Sequence, residues 1–255
     1  MTEFRLRSVA GVVERHRVAT VRTWKVALTW FLIEPAFVLV AMGSGVGQLV
    51  VEIPGHGPYS HFVTPGIIIG MVMFHALFDS AWGVFNRIQQ GAFETQLTAP
   101  VTVTELAAGE ALWGGIRGVI STLAIGGLAI LLGWFPLSAL PVTLLVSFVV
   151  GVQFGVVGLC SASASPSMSA LTLVFTVMAT PLFFFSGSFF PLEVLPDWVE
   201  PLAWIAPLTP GVHLARGLAE HSLDLSHALC ALYLVAFTLL LFPVAARMLR
   251  ARLVK

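Results

Sequence analysis

Apolar residues fall into six runs of roughly membrane length, at about 27–50, 62–85, 108–133, 140–161, 168–190 and 225–246. A helix needs about 20 such residues to cross a hydrocarbon core. The pattern predicts an all-α integral membrane protein with six transmembrane helices in a single domain over 1–255. Residues 1–26 form its interfacial start, 27–246 the bundle and 247–255 a basic tail. The first run, about 24 residues long, exceeds a signal-peptide core and lacks a small-x-small cleavage site after it, so it is expected to stay as a membrane helix.

Three segments do not fit a span. Residues 4–25 are too rich in cations for the membrane interior. At 100° per residue, Leu6, Val9, Val13 and Trp24 fall on one side, with Arg7, Glu14, Arg15, Arg22 and Lys25 opposite and Arg17 at the edge. This predicts an N-terminal amphipathic helix on the membrane surface; a loose basic tail is the alternative. Residues 87–107 break at Gly91, carry a short mixed stretch at 92–98 and turn at Pro100. Glu105 then falls in the first turn of the next helix, capped by Thr102 or Thr104. The stretch reads either as a short projecting helix that meets a partner or as a plain connection. Residues 191–224 hold Pro191, Pro196, Pro201, Pro207 and Pro210, with Trp198 and Trp204 between them. They are too broken for one span and too apolar for a solvated loop, which predicts short re-entrant helices before the last span. Pro191, Trp198 and Trp204 are candidates for a gate there, or for a plug in a packing gap.

Charge sharpens this picture. Charged residues make up 10% of the 255, against about 25% in ordinary soluble domains, and mean hydropathy is +0.93. Between Arg117 and Glu193 lie 75 residues without a charge. That excludes a soluble enzyme. The 13 basic and 13 acidic residues cancel, so nothing points to nucleic acid. Ten of the 13 cations lie before the first run or after the last, which predicts both termini in the cytoplasm. The aromatic belt agrees, with Trp24, Trp30, Trp82 and Trp113 near inner ends and Trp134, Trp198 and Trp204 near outer ones.

Candidate chemistry is sparse. The two lysines, Lys25 and Lys255, follow no glycine-rich run, so the phosphate loop of an ATPase is missing and no cofactor is expected in this chain. Cys160 and Cys230 are too few for a four-ligand zinc site and are expected on opposite membrane faces, so no disulfide is expected. His56, His61, His213, His221 and His227 lack tight ligand spacing, so no metal is expected. Ser44 between Gly43 and Gly45 lacks the full hydrolase motif, and no catalytic constellation is visible. Intramembrane charges are the remaining candidates. Asp79 and Arg117 have matching depths from the inner side, which predicts an ion pair. His75 is four residues from Asp79, and Glu110 is seven from Arg117, each roughly on the same helical face. The four make either a proton relay or a structural pin. Glu34 before Pro35 is either a pathway residue near the inner end of the first span or an interfacial carboxylate.

The stretch Gly91-Ala92-Phe93-Glu94-Thr95-Gln96-Leu97-Thr98-Ala99-Pro100-Val101, followed by Glu105 and Gly109, resembles the inner loop of type-2 ABC exporter permeases. Glu34-Pro35, the run Ala41-Met42-Gly43-Ser44-Gly45-Val46-Gly47, Pro65-Gly66 and Gly109-Glu110-Ala111-Leu112-Trp113 are most similar to nodulation-type lipo-oligosaccharide permeases within that family. The resemblance covers about residues 24–246. It implies that the short loop helix docks on a separate ABC ATPase subunit that binds ATP-Mg, with Phe93, Glu94, Gln96 and Leu97 as the contacts. It also implies a second permease copy, a homodimer in preference to a heterodimer. The cargo would be amphipathic, a lipid-linked saccharide or a hydrophobic drug, exported across the inner membrane. A proton-coupled carrier using His75, Asp79, Glu110 and Arg117, or a non-transporting membrane scaffold, is the alternative.

Overall fold

Long apolar runs in a medium without water leave the backbone no partner but itself, and the chain is helical almost throughout. The computed structural model describes residues 5–50 and 52–253. Helix α1 covers Leu6–Arg22 and α2 covers Trp24–Leu49. A two-stranded antiparallel hairpin, β1 (Glu52–Ile53) with β2 (Gly57–Pro58), leads into α3 (Tyr59–Gln89). After the short α4 (Ala92–Leu97) come α5 (Val103–Leu131) and α6 (Leu140–Ala164). Then follow α7 (Met168–Phe184), α8 (Val199–Ile205), α9 (Thr209–Ala219) and α10 (Leu225–Leu253).

Among the described residues, five helices, α2, α3, α5, α6 with its leading turn, and α10, are long and apolar enough to cross a membrane. The run at 168–190 gives a shorter helix than expected. Its 17 residues end at Phe184, about 26 Å at 1.5 Å per residue. Gly187 at φ 76° then turns the chain. The flanking Ser186 and Ser188 are buried and bond each other at 2.7 Å, so the broken helix end keeps its polar groups matched. Earlier in α7, a wider π-type turn at Phe175–Ala179 precedes Pro181. In α2 a similar turn at Thr29–Ile33 precedes Pro35, which cannot donate a backbone hydrogen bond.

The bundle is built on α3, 83% of whose apolar window is buried, against 22% for α2 and 17% for α10. Helices α5 and α6 form its closest pair. A Cβ on Gly114 would lie 2.6 Å from the carbonyl oxygen of Gly151, and one on Gly151 only 2.5 Å from that of Gly114, so only glycine allows the backbones to meet. Thr122 donates to Ser147 at 2.6 Å along the same seam.

One end of the bundle gathers α1, the α3–α5 connection and the start of α7; Arg252 of α10 reaches it and donates to the carbonyl of Ser165 at 3.2 Å. The other end holds the β-hairpin and residues 185–225. Helix α1 exists as expected, but its buried seam is Val9, Val12 and His16 against α5, with Val12 over Gly109. Leu6 and Trp24, from the predicted apolar side, do not join this seam and are 76% and 58% exposed, as a side turned to lipid would be.

Candidate functional site

The rotation of α1 has an electrostatic cause. Helix α5 starts in a capping box: the Thr102 hydroxyl accepts from the Glu105 backbone N–H at 3.2 Å, and Glu105 accepts from the Thr102 N–H at 2.8 Å. The other Glu105 oxygen accepts from the backbone N–H of Arg5. This fixed start places Glu110 one and a half turns on, where it is 2% exposed. Its carboxylate accepts from Arg15 Nη2 and Arg87 Nη2, both at 2.6 Å, and meets His16 Nε2 at 3.0 Å. His16 stacks on Trp113 with centroids 5.2 Å apart. A buried carboxylate is tolerable only with such partners, so Glu110 turns the Arg15–His16 side of α1 inward and joins α1, α3 and α5.

Arg87 also lies over the ring of Phe93, 5.5 Å from its centroid. Phe93 is fully buried and anchors α4, whose chain enters through Gly91 at φ 66°. Phe93 is therefore not a surface contact, which corrects its place among the docking residues. Glu94 and Thr95 are exposed and Gln96 and Leu97 half-buried, so these form the outer side of α4.

Asp79 and Arg117 pair at 2.9 Å across α3 and α5, as their depths predict. The rest of the expected polar group disperses. His75 instead meets the Ser121 hydroxyl at 2.8 Å and the Trp30 carbonyl at 3.1 Å, while Glu110 serves the cations above. The four residues occupy three environments rather than one relay. The Asp79–Arg117 pair borders a cavity of about 350 Å³ between α1, α2, α3 and α5, walled by Trp30, Phe31, Phe78 and Trp82. Phe78 stacks on Trp82 at 4.1 Å, and Arg117 lies 5.4 Å from the Phe31 centroid. Apolar ring faces with one polar pair at the margin suit a molecule that has both an apolar body and a polar head. Glu34 is exposed about ten residues into α2, away from this cavity.

At the opposite end a second cavity, of about 320 Å³, is lined by Pro191, Trp204, His213, Arg216, Glu220 and His227 among others. Trp198 is 72% exposed and stands apart, on an apolar groove with Pro181, Phe185 and Leu202. The expected gate residues thus divide between two features. His213 stacks on His227 with centroids 4.3 Å apart. Burial, then the neighbouring His227 and Arg216, hold the His213 imidazole below its ordinary value. Hydrogen bonds from Ser226 and His227 hold the Asp224 carboxyl well below the usual carboxylate range. Burial pushes the Arg216 guanidinium down to about 10, so it stays charged at neutral pH.

A model of the ABC-2 type transporter family matches residues 8–219, from α1 through α9. The chain belongs to the ABC-2 type transporter family. It is similar to Nodulation protein J of Rhizobium leguminosarum bv. trifolii, 26% identical over 246 residues and 94% of both chains. The protein of the same name from R. leguminosarum bv. viciae is 29% identical over 186 residues, 72% of this chain and 71% of that one. The inner membrane transport permease YadH of Escherichia coli K12 is 24% identical over 238 residues, 92% of each. ABC-2 permeases are membrane-embedded, multi-pass transport subunits that work with an ABC ATPase subunit. Among the elements inside the ABC-2 match, sequence reasoning anticipates α4 and the Asp79–Arg117 pair but groups Glu110 with that pair, and does not single out Arg15, His16 and Arg87, which meet it.

Proposed function

We propose that this chain is the membrane-spanning subunit of an ATP-driven exporter in the inner membrane, with α2, α3, α5, α6, α7 and α10 as six spans and both termini cytoplasmic. The carrying observation is the continuous chain of contacts from α4 to α1. Phe93 packs under Arg87, Arg87 pairs with Glu110, and Glu110 holds Arg15 and His16. A push on α4 by a docked ATPase moves Arg87 and α1 together, next to the aromatic cavity. ATP-Mg belongs to that ATPase; this chain supplies no nucleotide loop. An amphipathic cargo, a lipid-linked saccharide of the lipo-oligosaccharide kind or a hydrophobic drug, suits the ring-lined cavity with its single ion pair. Glu34, exposed within α2, and the open faces of α2 and α10 favour a second copy of this chain as the other permease.

The test is affinity capture from gently solubilised native membranes. Wild type should bring down a stoichiometric ATPase subunit, and Glu94→Arg/Leu97→Asp should lose it while eluting as a folded protein. Phe93→Ala should instead lower stability, by about 3 kcal/mol or more for a buried phenylalanine. A folded wild type that recovers no nucleotide-binding partner overturns the reading. Transport that survives ATP depletion and stops when the proton gradient is collapsed would replace it with the carrier alternative, although a relay split among three environments speaks against that outcome.

A further inference from the structure

The second cavity lies at the end of the bundle opposite α4. One stripe of α9 lines it, with Thr209, His213, Arg216 and Gly217 at i, i+4, i+7 and i+8, and Glu220 just past its end. Two donors on this stripe are buried and unmatched among the described residues. Thr209 is 1% exposed and its hydroxyl has no partner; Arg216 is 8% exposed and its Nε–H has none. Arg216 Nη2 is committed to the carbonyls of Gly187 at 2.6 Å and Phe62 at 3.3 Å, and the guanidinium lies 3.8 Å from the Phe62 centroid. No carboxylate pairs with it among the described residues. Glu220 is held by His56 at 2.8 Å and Asp224 by His227 at 2.7 Å. A buried cation without a counter-ion and a buried hydroxyl without a partner are each unfavourable, and folded proteins seldom leave either unmatched.

We propose that this cavity binds the singly charged, hydroxyl-bearing head of an amphiphile at the outer membrane surface. An anionic head would accept from Arg216 through one oxygen and from Thr209 through another. Glu193, Glu220 and Asp224 on the wall repel a doubly charged group, which selects a phosphodiester or carboxylate over a phosphomonoester. The same carboxylates accept from sugar or glycerol hydroxyls, and Trp204 offers a ring face beside them. Two sources share this chemistry: a phosphatidylglycerol head of the outer leaflet, or an acidic sugar on an exported amphiphile. The outward placement of this end rests on the exporter reading. Binding to the isolated chain needs no ATPase, so failure here is distinct from failure of that reading.

The full chain, purified in a neutral sugar detergent, is titrated calorimetrically with dioctanoyl phosphatidylglycerol, dioctanoyl phosphatidylcholine, octyl glucuronide and octyl glucoside. Saturable binding of the phosphatidylglycerol, the glucuronide or both is expected, at least about tenfold tighter than the zwitterionic and neutral probes. The phosphatidylglycerol alone assigns a lipid head, and the glucuronide alone an acidic sugar. Thr209→Val should weaken the bound probe about tenfold while leaving the unliganded Tm equal or higher, because it removes only an unmatched buried hydroxyl. Arg216→Gln should abolish binding, and Thr209→Val keeps the test readable if that variant does not fold. Equal binding of all four probes, no binding of either anion, or unchanged affinity in Thr209→Val overturns the proposal.

Discussion

Glu110 holds the guanidinium groups of Arg15 and Arg87 and the imidazole of His16, from two other helices, around a single, nearly sealed carboxylate. Glu110→Gln keeps the shape and removes the charge, which leaves Arg15 and Arg87 facing each other without compensation. Breaking a buried pair from one side costs about 3–5 kcal/mol, so the variant should show a clearly lower Tm in detergent, and Arg87→Ala in the same background should recover part of the loss. An unchanged Tm would reduce the cluster to a surface arrangement. At this scale the sequence is legible only where one coordinate decides. Membrane depth suffices to pair Asp79 with Arg117. It assigns Glu110 to the same group, because nothing in periodicity shows that Arg15, 95 positions earlier, can return to it. Phe93 is misread for a related reason: on a six-residue helix an aromatic ring looks the same whether it faces a partner or the chain's own core.

Helix pairing depends on what is missing from side chains. The α5–α6 seam exists because Gly114 and Gly151 present carbonyl oxygens at each other's Cα, with the Thr122–Ser147 bond further along. Gly151→Leu therefore has no room, and nothing but backbone can move to make any. Overpacking on this scale costs about 1–3 kcal/mol or more. It should appear as loss of the monodisperse peak in fluorescence-detected size exclusion, while Gly127→Ala, with nothing within 4 Å of its new methyl, should behave as wild type. Equal behaviour of the two would remove the seam from the account. Hydropathy finds the spans but carries no such pairing, since glycines on a seam and glycines facing lipid score alike. It also overruns the end of α7, because Phe184, Phe185, Phe189 and Phe190 read as span while Gly187 turns the backbone between them.

Across the whole molecule, burial is uneven in a way that one chain does not resolve. Helix α3 is enclosed, whereas α2 shows Ile33, Phe37 and Val40 beside the exposed Glu34. A carboxylate at that position needs water or a partner. With Cys160 and Cys230 replaced, Phe37→Cys should cross-link in native membranes to a species of about twice 27.3 kDa, and Leu145→Cys on α6 should remain monomeric. Cross-linking at both positions alike would mean crowding rather than a defined face. The shortness of α7 carries a separate consequence. Its 17 residues stand beside helices of 25 to 31, and about 30 Å of hydrocarbon does not fit a rod of about 26 Å. As the sixth span of the proposed exporter, α7 would draw the lipid in around it while its longer neighbours lean. On the exporter reading, lipid drawn in around α7 would thin the oil that a polar head has to cross at that place.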